Sequence, residues 1–464
     1  MRIFDSELRN RWAALAISIV AIGVAIFLPA ATTSPTSGDG TGAKTSSSAN
    51  YPFTLCPAAL GTTMRIGLTN SHLQIRSING KSTSTHTSQS ATLNSYQYSS
   101  ASPLYVQGSA GIPTAWSTST SGSGNLVGVP CNSGGQSQWL VGGSAALTSQ
   151  DLLEVINSGP TQTAVMVYPF TSKGPLAPVT FAVKANSDTQ IPVSTITPGE
   201  NSIALEVVSQ SARIASYLLD HRKSGLSDLG SSFVAEQDQP QSTIYLGGIS
   251  NGSYSGSKAS TQMIRFLDPG TLDAHITATV YTSNGALVPV GLSSLTLSHQ
   301  KVLDLALPTA QMPSPYGIMI QSDQPIVASV LTSSVLSRDF TWASALTPLA
   351  TSKYSATRIN FAGAKPTIVF IGAHIQARLS WQPLVGKTAT AVVSGDLITS
   401  WVAPVNISNL TITPVSGQQA IYAGAILGGN SHASMSYLPI GSAAPQVGSA
   451  APTSDIRALI PNTR

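Results

Sequence analysis

The sequence predicts an all-β protein, built as tandem immunoglobulin-like β-sandwich repeats behind one N-terminal transmembrane helix. Three observations carry that expectation. They are an uncharged apolar run near the N-terminus, short segments that alternate apolar and polar residues, and a self-match at a spacing near 110 residues.

Residues 12–31, WAALAISIVAIGVAIFLPAA, carry no charge and come after Arg2, Arg9 and Arg11. A helix of about twenty apolar residues crosses the hydrocarbon core, and arginines on its N-terminal side hold that end in the cytoplasm. A cleaved signal has a shorter apolar core of about 7–15 residues ending in small residues. Here the core is longer and Pro29 sits beside Ala30 and Ala31, so a retained anchor is the preferred reading and secretion after cleavage its rival. No lipobox cysteine succeeds the run. Residues 1–11 then form a short cytoplasmic tail, and residues 32–50, TTSPTSGDGTGAKTSSSAN, a flexible linker. As a Gly/Ser-type coil that linker would separate its ends by roughly 20–25 Å. Everything after about residue 50 is expected outside the cell membrane.

Only 9% of the 464 residues are charged, and the net charge is +4 with the basic residues scattered. Nucleic-acid binding requires a concentrated basic face that releases counterions, so no nucleic-acid partner is expected. The expected partners are the membrane, through residues 12–31, and glycans or proteins of the cell envelope. Two cysteines, Cys56 and Cys131, lie in the exported part, where an oxidising compartment lets thiols pair. They are predicted to form one disulfide, which contributes about 4 kcal/mol in the chain-entropy account.

The self-match locates the modules. Asn157-Ser158-Gly159 and Asp268-Pro269-Gly270 stand 111 positions apart, and the same offset brings Gly174 onto Gly285 and Leu176-Ala177-Pro178-Val179 onto Leu287-Val288-Pro289-Val290. Ser209 to Leu218 matches Ser322 to Leu331 at an offset of 113, and Gly142-Gly143 matches Gly247-Gly248 at 105, so the offset changes only in loops. A fainter copy runs from Pro366 to Leu427, where SGQQAIYAGAI echoes the closing strand. Solenoid and propeller repeats recur every 20 to 50 residues. A period near 110 suits a β-sandwich of about 100 residues.

Strand signals fill each copy. In Ala274 to Tyr281 the residues Ala274, Ile276, Ala278 and Val280 take one face, and His275, Thr277, Thr279 and Tyr281 the other, the mark of a half-buried strand. Ala164 to Phe170, Ser202 to Val208, Tyr316 to Gln321 and Ala389 to Val393 read likewise. Ser283-Asn284-Gly285 suits a hairpin turn, because Asn and Gly tolerate positive φ. These signals set the domain boundaries: an N-terminal β region with the disulfide at 51–137, sandwich repeats at 138–235 and 236–350, a divergent third repeat at 351–441, and a flexible tail at 442–464. A rod of successive modules is the expected arrangement.

Further residues stand out: Cys131 and then Trp139-Leu140-Val141-Gly142-Gly143, Asn157-Ser158-Gly159-Pro160, Ser322-Asp323-Gln324-Pro325-Ile326-Val327-Ala328, and Asp339-Phe340-Thr341-Trp342-Ala343. In these the chain resembles the actinobacterial envelope proteins of domain of unknown function 5719. The resemblance covers most of residues 51–440, and the third repeat departs furthest from it. It implies a single-pass or secreted actinobacterial protein with sandwich-like repeats and no assigned reaction.

No catalytic residues are assigned. Gly248-Ile249-Ser250-Asn251-Gly252 has the form of a nucleophile elbow, which needs a helix after the serine. The stretch just beyond it, Ser253-Tyr254-Ser255-Gly256-Ser257, has no helical period, so an inter-strand loop is the preferred reading. The seven histidines are dispersed without a ligand spacing, so no metal is expected. Asp220-His221-Arg222 is the one tight acid and imidazole group and is read as a strand end. Asp268 with Asp273, and Glu236 with Asp238, are too sparse for calcium. No cofactor is expected.

Trp139 and Trp342 are expected in the core. Trp381 and Trp401, in the divergent repeat, are the candidates for glycan contact, with core packing the preferred reading even there. The expected function is therefore a non-catalytic, membrane-anchored structural or binding role in the cell envelope. The alternatives are a carbohydrate-binding accessory protein to a glycan-processing partner, and a serine hydrolase using Ser250.

Overall fold

In the computed structural model the alternating segments are strands, and among the described residues the one helical turn is a 3-10 turn at Val193–Thr195. The description covers residues 53–441 apart from several loops, of which 251–260 is the longest. The expected tail, anchor, linker and C-terminal tail (1–11, 12–31, 32–50, 442–464) lie outside the described residues. Among those described, no helix is long and apolar enough to cross a membrane.

Every strand pairing among the described residues is antiparallel. The N-terminal region contributes β1 (Phe53–Cys56), β2 (Met64–Gly67), β3 (His72–Ser77), β4 (Thr83–Thr87), β5 (Ser95–Tyr98), β6 (Leu104–Gln107), β7 (Thr114–Thr118) and β8 (Leu126–Pro130). These form two four-stranded sheets, ordered β1-β6-β3-β4 and β5-β2-β7-β8. Cys56, at the end of β1, and Cys131, just after β8, are joined as a disulfide. Beside it Leu55 and Asn132 exchange backbone hydrogen bonds of 2.6 and 2.9 Å.

The first module comprises β9 (Ser137–Val141), β10 (Leu152–Asn157), β11 (Thr163–Thr171), β12 (Gly174–Pro175), β13 (Val179–Val183), β14 (Ser187–Pro192), β15 (Ile203–Ser209), β16 (Ile214–Ser224) and β17 (Ser227–Val234). One sheet runs β14-β10-β16-β17. The other runs β12-β11-β15-β9, with β13 also on β11. Leu153, Val155 and Leu218 of one sheet meet Val165, Val167 and Leu205 of the other in a shared core.

The second module has β18 (Gln241–Ile249), β19 (Thr261–Leu267), β20 (Ala274–Thr282), β21 (Gly285–Leu287), β22 (Leu295–Leu297), β23 (Val302–Ala306), β24 (Tyr316–Ser333) and β25 (Phe340–Ser344). In β20 the even-numbered residues Ala274, Ile276, Ala278 and Val280 are buried, and the odd-numbered ones between them are exposed or half-buried. The strand order repeats that of the first module. β24 takes the places of both β15 and β16, its first half pairing β18 and β20 and its second half β19 and β25, so the two sheets merge into one of eight strands.

The match reaches individual hydrogen bonds. Gly159 N–H donates to Asn157 Oδ1 at 2.8 Å, and Gly270 N–H to Asp268 Oδ1 at 2.8 Å. Thr171 and Thr282 hydroxyls each donate to the carbonyl of a turn glycine, Gly174 and Gly285, at 2.9 Å. Ser211 N–H bonds Ser209 Oγ at 3.1 Å, as Gln324 N–H bonds Ser322 Oγ at 3.2 Å. These pairs share the offsets of the sequence match, because short side chains that bond two residues ahead set the same bend wherever they recur.

The third module differs. It contains β26 (Thr357–Asn360), β27 (Thr367–Pro383), β28 (Ala389–Val402), β29 (Ile407–Pro414), β30 (Tyr422–Gly428) and β31 (Met435–Ile440), in one sheet ordered β26-β29-β27-β30-β31 with β28 on β27.

Cores continue across module boundaries. Ile156, Ala215, Tyr217 and Phe233 of the first module join the N-terminal core. Phe340 and Trp342 of the second enter the core of the first, and Ile371 and Tyr437 of the third enter that of the second. Glycines admit two of these visitors. A Cβ on Gly247 or on Gly317 would lie 2.3 Å from Ile371 Cδ1, and one on Gly142 would lie 3.1 Å from Trp342 Cδ2. The expected rod is not what forms. The N-terminal region touches the third module as well as the first, since Leu126 packs on the third core and the Thr114 hydroxyl donates to the Asn360 carbonyl.

Replacing both Cys56 and Cys131 by serine releases the bond that ties β1 to the end of β8. In the full chain it should lower unfolding stability by roughly 2–5 kcal/mol, read as a drop in denaturant midpoint. An unchanged midpoint would mean that the N-terminal sheets are held by packing alone.

Candidate functional site: a polar cavity at the junction of four segments

The boundary between the first two modules is built around a cation. Arg265 on β19 is 2% exposed, yet its guanidinium is fully bonded. Nε and Nη2 donate to the two oxygens of Asp304 at 2.7 and 2.8 Å, and Nη1 to the carbonyls of Gly143 and Ile203 at 2.7 and 3.0 Å. A further Nη2 contact reaches the Asn201 carbonyl at 3.4 Å. The guanidinium lies 5.0 Å from the Trp342 ring centre. Trp342 Nε1 in turn donates to Asp220 Oδ2 at 2.8 Å. Asp220, fully buried, is paired with Arg222 at 2.6 Å, and Arg222 stacks over Phe340. The Asp220-His221-Arg222 group is thus part of a module junction, with His221 turned to Asp228 at 3.4 Å.

Other buried carboxylates tie neighbouring segments. Glu154 accepts from Ala58 N–H at 3.0 Å, joining the first module to the N-terminal region. Asp339 accepts from Met435 N–H at 2.8 Å, joining the second to the third. Asp151 accepts from Ser144 N–H at 2.7 Å and His221 N–H at 3.1 Å. Burial raises Glu154 and Asp151 to about 8, the charge of Asp220 adding to the latter, and raises Asp339 to about 7.

Where the N-terminal region and the three modules meet, a cavity of about 260 Å³ opens. Its walls come from the segment after β8 (Asn132), from β16 (Ser216), from the connection between β17 and β18 (Glu236, Asp238), from beyond β25 (Leu346) and from β31 (Pro439). Asn132 is held firmly. Its N–H bonds Tyr217 Oη at 2.8 Å, and its Oδ1 accepts from Gly134 N–H at 2.6 Å.

Three of the residues around it each carry one atom, Asn132 Nδ2, Ser216 Oγ and Glu236 Oε2, that is closed off from the cavity and makes no hydrogen bond. Each such group costs roughly 1–3 kcal/mol. Desolvation raises Glu236 to about 8, and the charge of Asp238 adds to the rise. The Asn132 amide is near enough to oppose that rise, yet makes no bond of proper geometry with the carboxylate.

The residues singled out from sequence fall elsewhere. Trp139 and Trp342 are core, at 4% and 1% exposure. Trp381 is 8% exposed and packs 5.0 Å from the half-buried Trp401, both against the third core. Ser250 directly follows β18, with its hydroxyl 3.4 Å from that of Ser314, and the segment after it lies outside the described residues. Gly248, which opens that motif, has φ 73° and matches Gly143, φ 79°. A Cβ on Gly143 would stand 2.7 Å from Asp151 Oδ2, so the glycine serves a bend beside a buried carboxylate.

His275, His299 and His374 pair on the surface with Asp323, Asp273 and Asp396. Among the described residues no group of His, Cys, Asp or Glu is arranged to hold a metal. Sequence reasoning passed over Asn132 and Ser216 and dismissed Glu236 with Asp238 as a calcium pair. Their one signal was two acids close together at a repeat boundary in a charge-poor chain.

A family model described as a family of unknown function (DUF5719) matches residues 99–395. No curated protein matches the chain. Among solved structures, a crystal structure of a tetra-tandem repeat in the extending region of a large adhesion protein aligns at 11% identity, covering 84% of this chain and 94% of that one, with a TM-score of 0.11.

Both the Arg265 fork and the buried acids carry measurable consequences. Arg265→Lys supplies one ammonium where the fork bonds two carboxylate oxygens and two or three carbonyls; it should destabilise the full chain by roughly 3–5 kcal/mol, measured by denaturant unfolding. Wild-type stability retained would show that the junction does not need the fork. The buried carboxyls set the pH dependence. The folded chain keeps protons on Asp151, Glu154, Glu236 and Asp339 up to pH values of about 7 to 8, whereas the unfolded chain releases them near pH 4. The native state therefore binds more protons between about pH 4.5 and 8, and its stability falls as pH rises through that window and levels off above it. Thermal melting from about pH 5 to 9 should trace that decline, and a midpoint rising with pH would contradict it.

Proposed function

The chain belongs to the family of unknown function DUF5719, and from that premise we propose that it is a non-catalytic, membrane-anchored protein that holds or binds components of the actinobacterial cell envelope. The observation that carries the reading is the sealing of every module boundary. The Arg265 fork, the Ile371 knob, the Asp339 bridge and the Thr114–Asn360 bond each span two segments. Together they make the β segments one continuous body. Such a body displays long polar strands and loop clusters in fixed relation, which suits holding and binding. The disulfide fits an oxidising compartment.

Residues 12–31 act as the anchor and 32–50 as the tether. The repeated strand order and the matched turn bonds of the first two modules support tandem immunoglobulin-like sandwiches of about 100 residues each, with the third module as a divergent relative.

Fractionation of cells producing the full chain tests the address. The protein should stay in the membrane pellet through an alkaline wash, and added protease should reach residues 51–441 once the wall is opened. A chain shielded from external protease would overturn the topology. Covalent labelling by a fluorophosphonate probe that Ser250→Ala abolishes would overturn the non-catalytic reading.

A further inference from the structure

The third module carries the net charge of the chain. Residues 351–441 hold five of the 23 lysines and arginines and one of the 19 aspartates and glutamates, so the two signs balance elsewhere. The one acid, Asp396, is paired with His374. Arg358, Lys365, Arg378 and Lys387 are exposed, and none of them enters an ion pair among the described residues.

Two of these cations border an apolar tip. The β27–β28 turn, the β28–β29 turn and the stretch before β27 come together at one end of the module, because Leu384 N–H donates to the Asn406 carbonyl at 3.2 Å and Ala403 N–H to the Pro366 carbonyl at 2.9 Å. Trp381 and Trp401, 5.0 Å apart, join the two strands there. At this end Val385, Val402 and Val405 are 90%, 58% and 48% exposed. Lys365 adjoins Pro366, and Lys387 stands two residues after Val385. A lone exposed valine is ordinary, whereas three at one end of a module beside two unpaired lysines make a patch.

The two chemistries select the occupant. A soluble anionic polymer would meet the lysines and leave the valines in water. An apolar protein surface would cover the valines and gain nothing from the excess of positive charge. The boundary of a bilayer offers acyl chains and anionic headgroups at one place, and lysine stems can lie along apolar surface while their ammonium groups stay among the headgroups. Tryptophan, here the half-buried Trp401, also favours that layer.

We propose that the tip formed by Val385, Val402 and Val405 with Lys365 and Lys387 docks on the anionic headgroup layer of a membrane. This contact is made by the folded β segments and goes beyond the anchor, since it does not require residues 12–31 to span the bilayer.

A reporter at the tip of the full chain tests the inference. Val385→Trp is reconstituted in vesicles with brominated acyl chains, made of phosphatidylcholine alone or of an equal mixture with phosphatidylglycerol. The emission that this variant adds to the wild type should fall by about half or more in the mixed vesicles, because a docked tip reaches about 5–10 Å into the boundary, and should stay unquenched in phosphatidylcholine. High salt, or Lys365→Glu combined with Lys387→Glu, should restore the emission. Both lysines are exposed, so the melting temperature should hold. No quenching in mixed vesicles, equal quenching in the two compositions, or quenching that survives the double replacement overturns the proposal. An emission change with dextran sulfate in detergent, absent with mixed vesicles, overturns it in favour of a soluble anionic polymer. A chain that does not float with vesicles marks failure of the anchor alone, and the tip is then read by the same quenching after mixed vesicles are added to the soluble protein.

Discussion

Arg265 is the constraint on which the arrangement of modules rests. A guanidinium 2% exposed is tolerable only if its donors are met, and the acceptors that meet it come from both sides of a boundary. Asp304 belongs to its own module, while the Gly143 and Ile203 carbonyls belong to the preceding one. Moving one module against the other would strand either the cation or those carbonyls. The same side chain lies over Trp342, whose indole reaches Asp220, so the fork, the stacked ring and the buried carboxylate form one connected group. That connection fixes the angle at which the second module leaves the first.

The remaining junctions use milder devices with the same logic. Glycine at 247 and 317 leaves room for Ile371, and glycine at 142 admits Trp342. Corresponding residues of successive modules thus receive a visitor from the next. Carboxylates at 154 and 339 cap backbone N–H groups across boundaries, holding buried acids whose desolvation raises their pKa. Where four segments converge these devices leave a gap, and three of the buried polar atoms that packing did not satisfy belong to residues bordering it. A chain poor in charged residues thereby keeps several acids inside, at the seams.

Much of the architecture was legible before any coordinates. The alternation in Ala274 to Tyr281 became β20 with the expected face buried, because a period of two has one solution on a half-buried sheet. The 111-residue offset was readable because short polar side chains set turns locally, and Asn157 and Asp268 make the same bond to a glycine two residues on. Cys56 and Cys131 paired as expected. The cavity was not legible. Asn132, Ser216 and Glu236 are separated by up to about a hundred positions, and nothing in the local pattern says that they border one cavity. Glu236 and Asp238 read as a poor calcium pair because the residues that complete the wall are supplied by other modules.

What the sequence determined by itself is local and periodic: strands, turns, the repeat, the matched cysteines and the membership of the family. These arise from backbone preference and from the alternation of apolar side chains, which act over a few residues. What only the tertiary structure decided is how the modules close upon one another. The expected rod gave way to a cluster in which the N-terminal sheets touch both the first and the third modules, because long-range contacts such as Thr114 with Asn360 depend on shape and on the direction of each junction. Those directions are set by single buried groups, Arg265 foremost, whose partners no periodicity announces.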